Sequence, residues 1–293
     1  MSRYPYGGQA VIEGVMMRGR KNLAVAVRRK PEEIVVDIQA VSSITERFPL
    51  LKWPFIRGTV VLIESLIVGI KALTYSANQV VEGEETGETI GSWEMFFSVA
   101  LAFVLGIGLF FLLPVGLAHL MGDIVTGYTW QNILEGVIRI LIFLAYVWGI
   151  SLMKDIQRVF QYHGAEHKVI HTLEANEELT VENARKYKTL HPRCGTNFLL
   201  IVMVISILVF SLLGDTNLLW RFVSRVVLLP VVAGVSYELL KVAGKYYKHP
   251  LVQFFSAPGM WLQKLTTREP DDSQLEVAIT SLNSVLALEE AAN

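Results

Sequence analysis

The segment from Tyr162 to Phe198, YHGAEHKVIHTLEANEELTVENARKYKTLHPRCGTNF, concentrates the residues of this chain that can bind a metal ion. It contains four of the six histidines and the only cysteine. Its first part includes the pattern His-x-x-Glu-His, formed by His163, Glu166 and His167. Neutral imidazole nitrogen is a good ligand for zinc, iron, copper and nickel. The segment therefore predicts a divalent transition-metal site, most readily for zinc.

Helical spacing places the first histidines on one face. At about 100° per residue, a helix starting at Tyr162 aligns a single stripe of side chains: His163, His167, His171 and Glu174. Two histidines at positions i and i+4 can bind one ion. The stripe extends about 16 Å along the axis at 1.5 Å per residue, so one ion cannot use all of it. Further ligands must come from elsewhere in the chain.

The motif HPRCGT, about twenty residues later, offers those ligands. Pro192 and Gly195 predict a turn that opens an apolar helix, which places Cys194 near a helix N-terminus. The positive end of the helix dipole favours a thiolate there. His191 and Cys194 are therefore candidate ligands, and Glu238, in a later apolar segment, is a second-rank candidate.

Glu166 lies beside the histidine stripe and is the predicted general base acting on water, as in the inverted zinc-peptidase motif. The alternative interpretation is a solvated polar helix, with Cys194 a small buried residue. The five-residue pattern alone does not decide between them. The second motif, HPRCGT, favours the metal site.

Composition places this site in a membrane protein. The chain has 293 residues, of which 52% are hydrophobic and 18% charged, and its mean hydropathy is +0.43. Its apolar residues occur in long blocks, and a helix needs roughly 20 residues to cross a bilayer. Four blocks meet that length approximately: Met95 to Leu120, Ile133 to Met153, Phe198 to Leu213, and Leu218 to Leu240. We expect a mainly α polytopic membrane protein with a four-helix transmembrane bundle.

The distribution of Lys and Arg predicts the orientation of this bundle. Ten of these residues lie in residues 1–57, seven in residues 154–196, and five from Lys241 onward, whereas residues 121–131 and 214–217 contain none. By the positive-inside rule, both termini and the His-rich loop are cytoplasmic. A weaker block, Thr59 to Ala77, is interrupted by Glu64 and Lys71. We therefore expect it to be amphipathic or re-entrant at the cytoplasmic face.

The four charged residues nearest the outer ends of the blocks are expected to pair or snorkel rather than form a transport path. They are Glu135, Arg139, Arg221 and Arg225.

The remaining regions predict cytoplasmic structure. Leu23 to Arg29 and Ile34 to Val41 are β-branched runs that predict a small β-hairpin, and a helix is expected from about Ser273 after Pro270. The predicted domains are 1–57, a basic region with this sheet; 58–94, the amphipathic segment and an acidic connection; 95–240, the bundle with loop 154–196; and 241–293, the tail. No cleavable signal peptide is recognised. The net charge of −1 says little about partners. No nucleic-acid partner is expected, membrane lipids are expected as partners, and the oligomeric state is left open.

Six stretches resemble the bacterial YqhQ-type family of polytopic membrane proteins, a domain of unknown function described as a predicted metal-dependent enzyme. They are GGQAVIEGVMMRG, RG with ES at 57–65, FQYHGAEHK, HPRCGTNFL, YELLK and PGMWLQKLTTREPDDSQLEVAI. The resemblance implies a bacterial inner-membrane protein, and it supports seven site residues: Glu13, Arg18, His163, Glu166, His167, Arg193 and Cys194. It does not support His171, which leaves Glu174, His191 and Cys194 as the alternatives for a third ligand.

Two classes of function follow. The first is a membrane-associated metal hydrolase acting on a lipid or membrane peptide, in which Glu166, Glu13, Arg18 and Arg193 are the candidate catalytic residues. The second is a non-catalytic assembly or quality-control factor whose metal site is a structural clamp. An open coordination position would favour the enzyme. A di-iron oxidase is ranked last, because six histidines are too few.

Overall fold

The computed structural model is mainly helical, with a four-stranded antiparallel sheet at the N-terminus. It describes residues 6–41, 43–44, 48–83, 91–122, 124–214 and 218–291. The acidic connection, predicted between residues 82 and 94, and the outer turn at 214–217 lie largely outside the described residues, as does the side chain of Arg221.

The N-terminal sheet is larger than the predicted hairpin. Its strands are β1 (Gly7–Val11), β2 (Gly14–Arg18), β3 (Asn22–Lys30) and β4 (Glu33–Ala40), and they follow one another in a simple meander. The glycine-rich motif GGQAVIEGVMMRG forms the first hairpin, with Glu13 at φ 50° in the turn. The predicted hairpin corresponds to β3 and β4.

The helices follow in order. They are α1 (Ile56–Gly83), α2 (Ser92–Ile107), α3 (Leu113–Leu120), α4 (Tyr128–Ile150), α5 (Lys154–Glu174), α6 (Val181–Arg185), α7 (Gly195–Ser211), α8 (Leu218–Lys245), α9 (Pro250–Thr266) and α10 (Asp272–Ala291). A 3-10 turn, Pro49–Lys52, precedes α1, and a π-helical turn, Gly108–Leu112, joins α2 to α3.

Four helices are long and apolar enough to cross a membrane: Ile56–Gly83, Trp93–Leu120, Tyr128–Ile150 and Phe222–Lys245. This set differs from the predicted one in two places. The block Thr59 to Ala77 lies in the continuous helix α1, whose two interrupting charges leave it apolar enough to qualify. Helix α7, which contains the predicted third block, has only 17 residues.

The first half of the predicted His-rich loop 154–196 is the 21-residue helix α5, which contains the helix expected from Tyr162. Helix α5 packs against β1 and α10, and the three share a core with one face of the sheet. That core includes Val15, Ala26, Tyr162, Val169, Leu275 and Leu282. The chain therefore brings its two ends and its middle together around α5. The alternating residues Met16, Val25 and Val27 face the other way, against α1.

The predicted C-terminal helix begins with a capping box. The backbone N–H of Gln274 donates to Asp271 Oδ1 at 3.0 Å, and Gln274 Oε1 accepts from the Asp271 N–H at 3.0 Å. Pro270 precedes this cap, so the helix starts where the residue types favour it.

Three charged residues of the apolar helices α4 and α8 are paired and buried. Glu135 and Arg139 of α4 form an ion pair of 2.7 Å, and Arg225 of α8 reaches the same carboxylate at 2.7 Å. Arg139 Nε also donates to the carbonyl of Phe110 at 2.9 Å. That carbonyl lacks its usual helical partner because Pro114, four residues on, has no N–H. The two arginines thus supply hydrogen-bond donors to the buried carboxylate of Glu135 and to the backbone carbonyl of Phe110.

Candidate metal centre

Two backbone carbonyls fix the histidine rings of the His-x-x-Glu-His motif. His163 Nδ1 lies 2.8 Å from the oxygen of Thr266, and His167 Nδ1 is hydrogen-bonded to the oxygen of Thr189. A carbonyl oxygen only accepts, so each Nδ1 must carry the proton. In the neutral ring, each Nε2 is then the nitrogen with a free lone pair, which can bind a metal ion.

Cys194 completes a cluster of three ligand atoms. Its Sγ lies 3.2 Å from His163 Nε2, and the ligand atoms of His163, His167 and Cys194 all lie within 4.8 Å of one another. Zn–N bonds of about 2.0 Å and a Zn–S bond of about 2.3 Å in tetrahedral geometry bring such atoms to similar separations. Cys194 is the N-cap of α7, and its sulfur accepts from the N–H of Thr196 at 3.5 Å.

Glu166 is buried beside this cluster, beneath the edge of the sheet. One of its carboxylate oxygens lies 3.4 Å from His167 Nε2. A Cβ added to Gly8 of β1 would lie only 2.7 Å from Glu166 Cγ, so glycine allows the strand to lie directly on this side chain. The carboxylate is thus held next to the predicted ligands, at the position that a general base needs.

A cavity of about 510 Å³ opens onto these groups. Strand β1 forms one wall, helix α5 forms the floor, and the start of α7 forms the opposite wall. Its polar lining includes His163, Glu166, His167, His191, Arg193, Cys194 and Thr196. Substrate-sized space therefore adjoins the three ligand atoms and the carboxylate together.

His171, Glu174 and His191 form a second cluster, but its polar atoms largely bind one another. His191 Nδ1 accepts from the N–H of Arg193 at 3.3 Å, and its Nε2 lies 3.4 Å from Glu174. Arg193 also forms an ion pair with Glu174. Burial lowers the pKa of His171 and of His191, which favours neutral rings. Of the alternatives for a third ligand, the geometry favours Cys194.

Gln263, which the sequence analysis missed, fixes the HPRCGT turn. This fully buried side chain accepts from the N–H of His191 and donates to its carbonyl, both at 2.8 Å. Asn197 Nδ2 donates to the carbonyl of Pro192 at 2.7 Å. The signal in the sequence was the amide side chain of Gln263, which lies within the mainly apolar segment PGMWLQKL.

Three predicted residues lie away from the ligand cluster. Glu13 forms an ion pair with Arg158 of α5 and accepts from the hydroxyl of Tyr162 at 3.2 Å. Arg18 is at the end of β2, opposite Gly7. Glu238 binds Arg57 at 2.6 Å. None of the three lines the cavity within the described part of the chain, and the geometry gives Glu13 a role in joining the first hairpin to α5.

Gly164 allows α5 to approach the segment that holds His163. A Cβ at Gly164 would collide with the carbonyl oxygen of Arg268, two residues after Thr266. We predict that Gly164→Ala displaces this segment and lowers the melting temperature of the purified protein by several degrees. Gly195→Ala is the matched control, because a Cβ there meets nothing within 4 Å. Equal melting temperatures for the two variants would contradict this packing.

Comparisons with known proteins agree with the resemblance seen in the motifs. Residues 53–288 match the family model described as "Protein of unknown function (DUF1385)". The chain is 39% identical over 296 residues to "Uncharacterized protein YqhQ" of Bacillus subtilis (strain 168), with 97% of this chain and 93% of that protein covered. No solved structure matches. The chain belongs to the DUF1385 family of YqhQ-type proteins, whose function is unknown.

Proposed function

We propose that this protein is a metal-dependent hydrolase at the cytoplasmic surface of the bacterial inner membrane. Its metal ion, most readily zinc, is bound by His163, His167 and Cys194. One observation carries the proposal. Both histidine rings are fixed through Nδ1 by backbone carbonyls, and their Nε2 atoms cluster with a sulfur beside a cavity that contains Glu166.

The number of ligands favours an enzyme over a structural clamp. Structural zinc sites have four protein ligands, whereas catalytic sites have three and keep one position open. The described residues supply three ligand atoms in the first cluster, and the adjacent cavity gives access to a fourth position. The clamp is the second candidate, because the cluster also joins α5 to α7.

The chemistry follows from these positions. A bound zinc ion supplies Lewis-acid activation of water and of a carbonyl or phosphoryl oxygen. Glu166 accepts the proton of the attacking water and delivers it to the leaving group. Arg193, whose side chain lines the cavity, supplies positive charge near the reacting oxygen. Its guanidinium is also paired with Glu174, which restricts its orientation.

We further propose that α2–α3, α4, α7 and α8 cross the membrane. Helix α7 runs from Cys194 at the metal centre to Leu213, whose carbonyl accepts from Asn132 near the start of α4 at 3.4 Å. Helix α4 returns to Ser151, whose carbonyl accepts from Arg268 at 3.1 Å. The stretch from Cys194 to Leu213 therefore covers the same depth as the part of α4 from Asn132 to Ser151.

Helix α1 has the geometry of a re-entrant segment. Gly58 packs on Gly234 of α8, whereas Gly69 contacts Gln9 of β1 and Gly244 contacts Arg193. Gln9 and Arg193 line the same cavity. From the contact between Gly58 and Gly234, each helix thus extends about 15 Å, at 1.5 Å per residue, before it reaches the cavity of the metal centre. Helix α1 begins about halfway through the membrane and leaves on the cytoplasmic side.

This topology predicts the results of reporter fusions. Fusions after residues 85, 180 and 285 should report from the cytoplasm, and a fusion after residue 126 should report from outside. If α1 crossed the membrane completely in addition to these four spans, residues 57 and 85 would lie on opposite sides, and a fusion after residue 57 would report from outside. An outside signal at residue 57 would contradict the re-entrant arrangement.

Substitution of Glu166 distinguishes an enzyme from a clamp. Glu166→Gln should keep the metal and the melting temperature but abolish complementation of a deletion strain, because the amide cannot accept a proton. General-base catalysis is worth about 10²- to 10⁴-fold in rate. His163→Ala should lose both metal and complementation. Metal content is measured by mass spectrometry of detergent-purified protein.

Glu177→Gln is the matched control, since Glu177 is partly exposed and bonded to Tyr187 outside the cavity. It should complement and retain metal. Full complementation by Glu166→Gln with metal bound would remove the general base and leave the clamp as the better account. Wild-type protein that contains no metal would contradict both.

A further inference from the structure

Strand β1 is an edge strand that lines the cavity of the candidate metal centre. It pairs only with β2 in the sheet, and residues Tyr6 to Ala10 line the cavity next to Glu166 and the ligand histidines. An edge strand offers a row of backbone donors and acceptors to another chain. Here that row borders the groups that would perform hydrolysis.

The register identifies which β1 amides point away from β2. The N–H of Arg28 in β3 donates to the carbonyl of Glu13 at 2.8 Å, so the odd-numbered residues of β2 bond to β3. In an antiparallel ladder alternate residues bond to opposite neighbours. The even-numbered residues of β2 therefore bond to their odd-numbered partners in β1. The N–H and C=O groups of Gly8 and Ala10 therefore point away from β2. No other element in the described part of the chain forms a backbone hydrogen bond with them.

We propose that the substrate is an extended peptide that binds as a fifth strand along β1. This inference rests on the proposed hydrolase function. A paired strand recognises main-chain amides, and a strand beside β1 lies over Glu166 between the sheet and the start of α7. Gly7 and Gly8 carry no side chains to obstruct its approach. A lipid offers no comparable series of amides to the outward groups of Gly8 and Ala10.

The reaction balances without an oxidant or a reductant. The oxygen of water forms a bond to the peptide carbonyl carbon, and the C–N bond breaks. Glu166 takes one proton from the water and transfers it to the leaving nitrogen. The products are a carboxylic acid and an amine, and transfer of the remaining proton of the water from the acid to the amine gives a carboxylate and an ammonium group.

Hydroxamates test this pairing because the hydroxamate group binds zinc and takes the place of the peptide bond that would be hydrolysed. The chain attached to that group can then be varied. The probes are acetohydroxamate, acetyl-trialanine hydroxamate, its analogue with N-methylated amides, and octanohydroxamate. Their affinities for the zinc-loaded, detergent-purified full-length protein are measured by calorimetry. The tripeptide probe should bind about tenfold or more tightly than acetohydroxamate, because each added hydrogen bond contributes several-fold.

Two variants isolate the contribution of β1. Ala10→Pro removes an N–H that is not part of the ladder, a position at which an edge strand tolerates proline. It should remove most of the tripeptide's advantage and leave acetohydroxamate binding and zinc content unchanged. Ala10→Gly keeps the N–H and should keep the advantage. N-methylation should act as Ala10→Pro does.

Other results overturn the proposal. If the tripeptide hydroxamate still binds more tightly than acetohydroxamate after both Ala10→Pro and N-methylation, β1 does not pair with the peptide. If octanohydroxamate binds as tightly as the tripeptide hydroxamate, the substrate is a lipid. A dimer that Ala10→Pro dissociates, with no tripeptide advantage in the wild type, means that a second copy occupies the edge. If acetohydroxamate itself fails to bind the zinc-loaded protein, the open position is absent and the proposed hydrolase fails first.

Discussion

The hydrogen bonds from His163 and His167 to backbone carbonyls are the constraint on which the candidate centre depends. The carbonyl of Thr266 is at the end of α9, and that of Thr189 lies shortly before the HPRCGT turn. A ring held through Nδ1 keeps both its tautomer and its direction, so two separate segments must be correctly placed before either histidine can bind an ion. In the proposed site, metal binding is thus coupled to the packing of α9 against α5.

The same constraint explains why the N-terminus, middle and C-terminus form one unit. Helix α5 is buried on several sides at its centre, including Glu166, His167 and Lys168. Burying such a polar helix is unfavourable unless its groups are paired. Lys168 binds Glu269 and the carbonyl of Arg185, and the sheet and α10 cover the apolar positions. The polar face supplies chemistry, while the apolar faces fix its position.

Sequence patterns predicted much of this arrangement, because they report local physics. The helical period placed His163 and His167 on one face, and Asp271 after Pro270 indicated the start of α10. The four-stranded sheet was underestimated, since Gly7, Gly8 and Gly14 weaken the β signal, although Gly8 and Gly14 each allow close packing. The contact between β1 and Glu166 depends on residues far apart in sequence, which no periodicity reveals. For the same reason, the separation of Glu13 and Arg18 from the cavity could not be predicted.

X-ray absorption spectroscopy at the zinc K-edge tests the central claim most directly, because it counts sulfur and nitrogen neighbours without requiring a substrate. The sample is full-length protein purified without chelator. The account predicts one sulfur at about 2.3 Å and nitrogen or oxygen neighbours at about 2.0–2.1 Å, with the sulfur lost in Cys194→Ser. A first shell without sulfur would contradict it and would place the ion at the cluster of His171, Glu174 and His191.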